Sequence, residues 1–132
     1  MNNLVEKMLQ HKKWAVIGAS NKKDRYGYKI LKKLQQHNYE VYAINPGCEN
    51  IELAKCYKGL KQLPNLVECV NMVVNPKISM QVLDTINELK IKNVWFQPGS
   101  FNKEVIKKAN ELNLNIINEY CILVELRKKE IN

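Results

Sequence analysis

The residues best suited to chemistry lie in one stretch of this 132-residue chain: Gly18-Ala19-Ser20, then a polar loop running to Arg25 and Tyr26. A glycine, a small residue and a hydroxyl at a tight turn allow backbone N–H groups to face an anion at close range. Lys22, Lys23 and Arg25 add positive charge, and charge-assisted hydrogen bonds to phosphate are strong ones. The chemistry on offer is phosphate binding. Four further polar clusters stand at Asn45-Pro46-Gly47, Asn75-Pro76, Gln97-Pro98-Gly99 and Asn118-Glu119, each directly after an apolar run.

Those apolar runs are the elements that must position the clusters. Trp14-Ala15-Val16-Ile17 reads as a strand, and Tyr26, Ile30, Leu31 and Leu34 return at helical spacing after the loop. Strand, tight turn and helix form the opening unit of a nucleotide-binding α/β fold. Later strands are expected at Glu40–Ile44, Cys69–Val74, Asn93–Phe96 and Asn115–Ile117. Helices are expected at about Tyr26–His37, stopped at Asn38, and at about Ile78–Lys90 and Asn102–Leu112. Leu4, Val5, Met8 and Leu9 mark a short amphipathic helix within residues 1–12. Residues 48–67 are the least regular part, with one helical turn stopped at Pro64. Ile122–Leu126 is read as a short apolar stretch before a charged, frayed tail.

Alternating strands and helices predict one Rossmann-like domain over 1–132, with its core in 14–126. We expect three layers around a five-stranded parallel sheet of order 3-2-1-4-5, with a ligand beyond the carboxyl ends of the strands where their order reverses.

Bulk properties bound the rest. The net charge is +8, yet all but Arg25 and Arg127 of the 21 basic residues are lysines. They are scattered in pairs along predicted helix faces, poor material for bidentate base readout. A solvated lysine-rich surface is the plainer reading, so nucleic acid is an unfavoured partner. No apolar run approaches the roughly 20 residues that span a bilayer, and no signal peptide is evident; a cytoplasmic protein with no membrane partner is expected. Cys48, Cys56, Cys69 and Cys121 lack CxxC or zinc-type spacing, so no metal is expected and reduced thiols are the default.

The phosphate-binding reading has rivals. A nicotinamide dinucleotide calls for GxGxxG and an acidic residue after the second strand; here the next glycine is Gly27 and the strand ends in Asn45-Pro46. A Walker loop is absent too. No Ser/His/Asp set can be assembled at the strand ends, because His11 and His37 fall in predicted helices. Individual residues have structural alternatives as well. Ser20 suits a turn or helix cap, Arg25 a solvated surface, Tyr26 helix packing and Trp95 the core.

Taken together, Trp14 through Ser20, Arg25-Tyr26-Gly27, Tyr39 through Pro46, Val74-Asn75-Pro76, Val94 through Gly99, and Asn118–Cys121 with Glu125 resemble one family. It is the small, stand-alone, bacterial-type CoA-binding domain, related to the nucleotide-binding domain of the succinyl-CoA synthetase α subunit. The resemblance implies that coenzyme A or acyl-CoA lies across the strand ends. Gly18 and Ser20 would meet phosphate through backbone N–H and hydroxyl, with Ala19 between them. Asn45 and Pro46 would flank the adenosine, Val74 and Pro76 would line the same pocket, and Gln97 with Pro98 would sit nearer the pantetheine arm. Lys23 and Arg25, or Lys22, would neutralise phosphate charge. Gly47-Cys48 departs from the lysine that many relatives carry there. With no catalytic set in view, the expectation is a binding protein, acting alone or with a partner protein; a nucleotide-dependent enzyme and a nucleic-acid-associated protein are the alternatives. Cys121, at a strand end, is the thiol expected nearest a CoA thiol.

Overall fold

The structure is a computed structural model that describes residues 3–131. Residues 1, 2 and 132, the ends of the expected domain, lie outside the described residues. The strands are β1 (Lys13–Ile17), β2 (Glu40–Ile44), β3 (Asn50–Ile51), β4 (Ala54–Tyr57), β5 (Cys69–Met72), β6 (Asn93–Phe96) and β7 (Asn115–Ile117). The helices are α1 (Asn3–Gln10), α2 (Tyr26–Gln36), α3 (Pro76–Glu88), α4 (Lys103–Glu111) and α5 (Ile122–Ile131).

All strands join one sheet of order β3-β4-β2-β1-β5-β6-β7, parallel throughout except for the β3–β4 hairpin. The three layers are as expected. On one face α1, α2 and α5 bury Met8, Leu9, Ile30, Leu31, Leu34, Ile122 and Leu126 against Trp14, Val16 and Trp95. On the other, α3 and α4 bury Leu83, Ile86, Val105 and Ala109 against Ala15, Ile17, Val70 and Met72.

Two expectations about the sheet are corrected. It has seven strands, not five, because residues 48–67 contain the hairpin β3–β4, which adds β4 beside β2. The order 3-2-1-4-5 also fails: the strand at Cys69 pairs with β1, on the side away from β2. Burial explains this. All four residues of β5 are buried, so that strand needs neighbours on both edges and cover on both faces, whereas β2 begins with the exposed Glu40 and half-buried Val41 and Tyr42. The apolar strand therefore takes the centre.

Helix ends repeat one device. Asn38, Lys90 and Asn113 adopt φ of 66°, 60° and 59° just past α2, α3 and α4. The next residue in each case, Tyr39, Ile91 or Leu114, is buried and donates its N–H back to Leu34, Ile86 or Ala109. This paired left-handed and apolar stop ends each helix and aims the chain at the next strand. Asn75 and Asn102 cap the starts of α3 and α4, accepting from Ile78 N at 3.0 Å and Val105 N at 2.9 Å. The expected frayed tail is instead helical as α5, which docks on α2 through Glu130 to Lys33 (2.9 Å) and His37 (2.7 Å).

Candidate functional site

β1 and β5 are neighbours, but the chain leaving β1 enters α2 on one face and the chain leaving β5 enters α3 on the other. The diverging connections open a crevice at their carboxyl ends. Gly18 sits at its apex with φ +98°, and a Cβ there would lie 3.1 Å from the Val73 carbonyl carbon and 3.1 Å from Val74 Cγ1. Conformation and space both demand glycine. Its N–H, expected to face phosphate, donates instead to Ile44 O at 3.0 Å, and Ala19 N donates to the same oxygen at 3.2 Å. The turn is thus tied to the end of β2. Asn45 completes the tie: its Nδ2 donates to Ala19 O at 2.8 Å and its Oδ1 accepts from Gly47 N at 3.0 Å.

A cleft of about 340 Å³ opens between these turns and α3. Gly18, Asn45, Pro46 and Val74, four of the expected residues, line it. Its apolar walls come from Ile17, Ile44 and Leu60 on one side and Ile78 and Val82 of α3 on the other, with Thr85 as a polar spot. Lys58, just past β4, is the one cation among its lining residues; it is exposed and has no ion-pair partner among the described residues. The hairpin carrying Lys58 is anchored to α2, since Glu52 at its tip accepts from Tyr28 Oη and, at 2.7 Å, from Lys32 Nζ. Those two hydrogen bonds, Lys32 first, hold the Glu52 carboxyl below the usual carboxylate range.

The other expected residues fall outside the cleft lining. Ala19 is fully buried beneath the turn. Ser20, Lys23 and Arg25 occupy the loop into α2 and Tyr26 opens the helix; Ser20 Oγ accepts from Lys22 N at 3.0 Å, and Lys23, Arg25 and Tyr26 are exposed. The N-cap residue Arg25 makes no side-chain hydrogen bond to the first turn of α2. Pro76 opens α3 and Pro98 is exposed after β6. Gln97 is fully buried, donating to Asn71 Oδ1 at 2.8 Å and accepting from Ile122 N at 3.4 Å, which closes the β6 end rather than lining a pocket. Trp95 is core, with Nε1 donating to Tyr120 O at 2.7 Å. Cys121 is half-buried at the start of α5 and does not line the cleft.

Sequence reasoning gave no site role to Lys58, Leu60, Val82 or Thr85. The signal for Lys58 was the missing lysine at Gly47-Cys48, which left a cation to be sought elsewhere. His11 and His37 pair with Glu68 (3.3 Å) and Glu130 (2.7 Å) at the amino ends of the strands, the far rim from the cleft. A larger depression of about 820 Å³ runs along α4 from Phe101 to Asn118, at the β7 edge. It is shallow and away from the order reversal, so the smaller cleft is the better site. No group of His, Cys, Asp or Glu among the described residues could hold a metal ion, and no helix among them is long and apolar enough to cross a membrane.

A parallel α/β sheet with an apolar cleft at its order reversal defines a nucleotide-binding class of domain. Comparison with known proteins narrows the class. The CoA-binding domain model matches residues 12–127, and the chain belongs to that family. It is 30% identical over 119 residues to the α subunit of an ADP-forming acetate–CoA ligase II of Pyrococcus furiosus, covering 82% of this chain and 26% of that subunit. It is 26% identical over 121 residues to an uncharacterized Bacillus subtilis protein, YneT, covering 91% and 90% of the two chains. A hypothetical protein from Pyrococcus horikoshii superposes with a TM-score of 0.88 at 32% identity, over 98% of this chain and 91% of that one. The chain thus spans about a quarter of the ligase subunit, and nearly all of the two small proteins.

Proposed function

We propose that the chain binds coenzyme A or acyl-CoA across the carboxyl ends of β1, β2 and β5 and does so without catalysing a reaction itself. The observation that carries this reading is the meeting of Gly18, Asn45, Pro46 and Val74 around one apolar cleft at the order reversal. Its volume is within the range of about 300–1,000 Å³ usual for ligand sites. The adenine ring enters the slot between Pro46 and Ile78, with Asn45 and Pro46 flanking the adenosine. Lys58 meets one phosphate charge in place of the lysine absent at Gly47-Cys48. The diphosphate lies toward the Ser20 hydroxyl and the uncapped start of α2, within reach of Lys23 and Arg25. A relative named as the α subunit of a ligase supplies the analogy for a partner protein: this chain would contribute the CoA-binding part and another chain the chemistry.

Calorimetric titration with CoA, dephospho-CoA, acetyl-CoA and NAD at two salt concentrations tests the reading. CoA and acetyl-CoA bind, NAD does not, and loss of the 3′-phosphate or added salt weakens binding. Silence from every CoA species overturns it, and DNA or RNA would then be titrated.

A further inference from the structure

We propose that Cys48 and Cys56 form a dithiol that exchanges with small-molecule disulfides, and that the resulting Cys48–Cys56 bond loosens the turn walling the cleft. Both residues converge on Asn45. Cys48 N donates to Asn45 O at 3.2 Å, and the Cys56 thiol points at the same carbonyl at 3.8 Å. Across the hairpin, Cys56 N donates at 2.8 Å to the carbonyl of Glu49, the residue after Cys48. The Cys48 side chain also lies close enough to the Cys56 thiol to help hold it protonated. Cys48 Sγ also accepts from Asn21 Nδ2 at 3.3 Å and donates to Asn50 O at 3.2 Å. One sulfur therefore ties the phosphate-side loop, the Asn45 turn and the hairpin together.

The two thiols differ in the way an exchanging pair requires. Cys48 is half-buried, whereas Cys56 is buried. Burial first, then the contact with Cys48, pushes the Cys56 thiol up to about 12. Cys48 is thus the attacking group. Its thiolate attacks one sulfur of a disulfide RSSR, forming Cys48–S–S–R and releasing RS⁻, which takes a proton from water. The Cys56 thiol then gives its proton to solvent and attacks the Cys48 sulfur, releasing the second RS⁻. Two protein thiols are oxidised to one disulfide and RSSR is reduced to two RSH. In the product, Cys48 has no proton for Asn50 O and its sulfur is drawn from Asn21. The exchange stands without any assumption about the cleft's ligand; only its effect on binding rests on the CoA reading above.

The full-length, reduced chain incubated with oxidised glutathione, alkylated and read by intact mass and peptide mapping tests the pair. A Cys48–Cys56 link with Cys69 and Cys121 still alkylated is expected. Cys56→Ser, with Cys56→Ala as the second variant, stops at a glutathione adduct on Cys48, and Cys48→Ser forms neither adduct nor link at this site. Persistent adducts in the wild-type chain without the 48–56 link overturn the proposal, as does a reaction that Cys48→Ser leaves unchanged. Oxidised chain then binds CoA about three- to tenfold more weakly, the worth of one lost hydrogen bond. Equal CoA affinity in both redox forms, with the link present, overturns the coupling to the cleft. CoA silence in both forms counts against the proposed function and leaves the exchange to be judged by the mass result.

Discussion

The carboxyl ends of β1 and β6 carry comparable clusters, Gly18-Ala19-Ser20 and Gln97-Pro98-Gly99, yet one borders an open cleft and the other is sealed. The difference lies in where the chain goes next. Beside β1 the connections part, α2 to one face and α3 to the other. Beside β6 the neighbouring connections α3 and α4 share a face, and the start of α5 comes over the end to meet Gln97. Ser79 Oγ donates to Ser100 O at 2.7 Å, and Ser100 Oγ donates to Gln97 O at 2.7 Å, so the α3–α4 side is stitched as well. In this fold a polar strand end borders a cleft where the layers separate, and at β6 the same residue types become internal fastenings.

The sharpest way to break this contrast is to spoil the open end itself. A Cβ on Gly27 would lie 2.0 Å from Gly18 O, backbone against backbone, because the first turn of α2 packs directly on the turn after β1. Gly27→Ala is expected to cost about 3 kcal/mol or more in urea unfolding, since no side chain can yield. A loss under about 1 kcal/mol would mean that α2 can shift and that the open end is not rigidly built. Next in size is the sealed end. Gln97→Leu leaves the buried Asn71, whose Nδ2 already has no partner, without any hydrogen bond to its side chain. Stability should fall by about 1–3 kcal/mol while CoA affinity changes little. A large affinity loss at unchanged stability would place the β6 end in the site and erase the contrast.

The same contrast governs how much could be read from the sequence. Five of the seven strands rest on patterns that the chain displays openly, such as Trp14–Ile17 and Glu40–Ile44, as does the helix face Ile30, Leu31 and Leu34. The hairpin did not show because Asn50–Ile51 and Ala54–Tyr57 are short and carry no clean alternation. Strand order was misjudged because local periodicity does not say which strands neighbour one another; the continuous burial of Cys69–Met72 was the available clue. At the cleft, Gly18, Asn45 and Pro46 were legible as turn residues that follow strands, whereas Val74, read as a strand end, was expected there only through the family resemblance. Lys58 was not legible, since it reaches the cleft through the unseen hairpin. Gln97 was legible as polar and strand-terminal, but whether such a residue is open or sealed depends on α5, a helix that reads as a frayed tail.

Within the open end, the comparison sharpens to one cation. Lys58→Ala should leave unfolding within about 0.5 kcal/mol of the parent, as for an exposed surface change. CoA binding should weaken about three- to tenfold and lose part of its salt dependence. Dephospho-CoA, titrated alongside, tells which phosphate is involved: an unchanged Lys58 effect there assigns the diphosphate, and a vanished one assigns the 3′-phosphate. No effect on either ligand would remove Lys58 from the site and leave the charge to Lys23 and Arg25.

The smallest effect concerns how Lys58 is held. Glu52 docks the hairpin on α2, and its carboxyl is held low by Lys32 and Tyr28. A group whose folded value is depressed contributes stability that is fully present above its unfolded value, about 4.3, and is lost as pH falls through the folded value. The docking therefore persists across neutral and mildly acidic pH and weakens only in stronger acid. Amide exchange at Ala54–Tyr57, followed from pH 7 to pH 3, should rise beyond its intrinsic pH dependence only below about 4.3 in the parent chain. Glu52→Gln should show raised exchange already at pH 7 and no further step in acid, with a small loss in CoA affinity because Lys58 is less firmly placed. Identical profiles for parent and variant would mean that backbone pairing of β4 with β2 alone fixes the hairpin, and that the open end owes nothing to its anchor on α2.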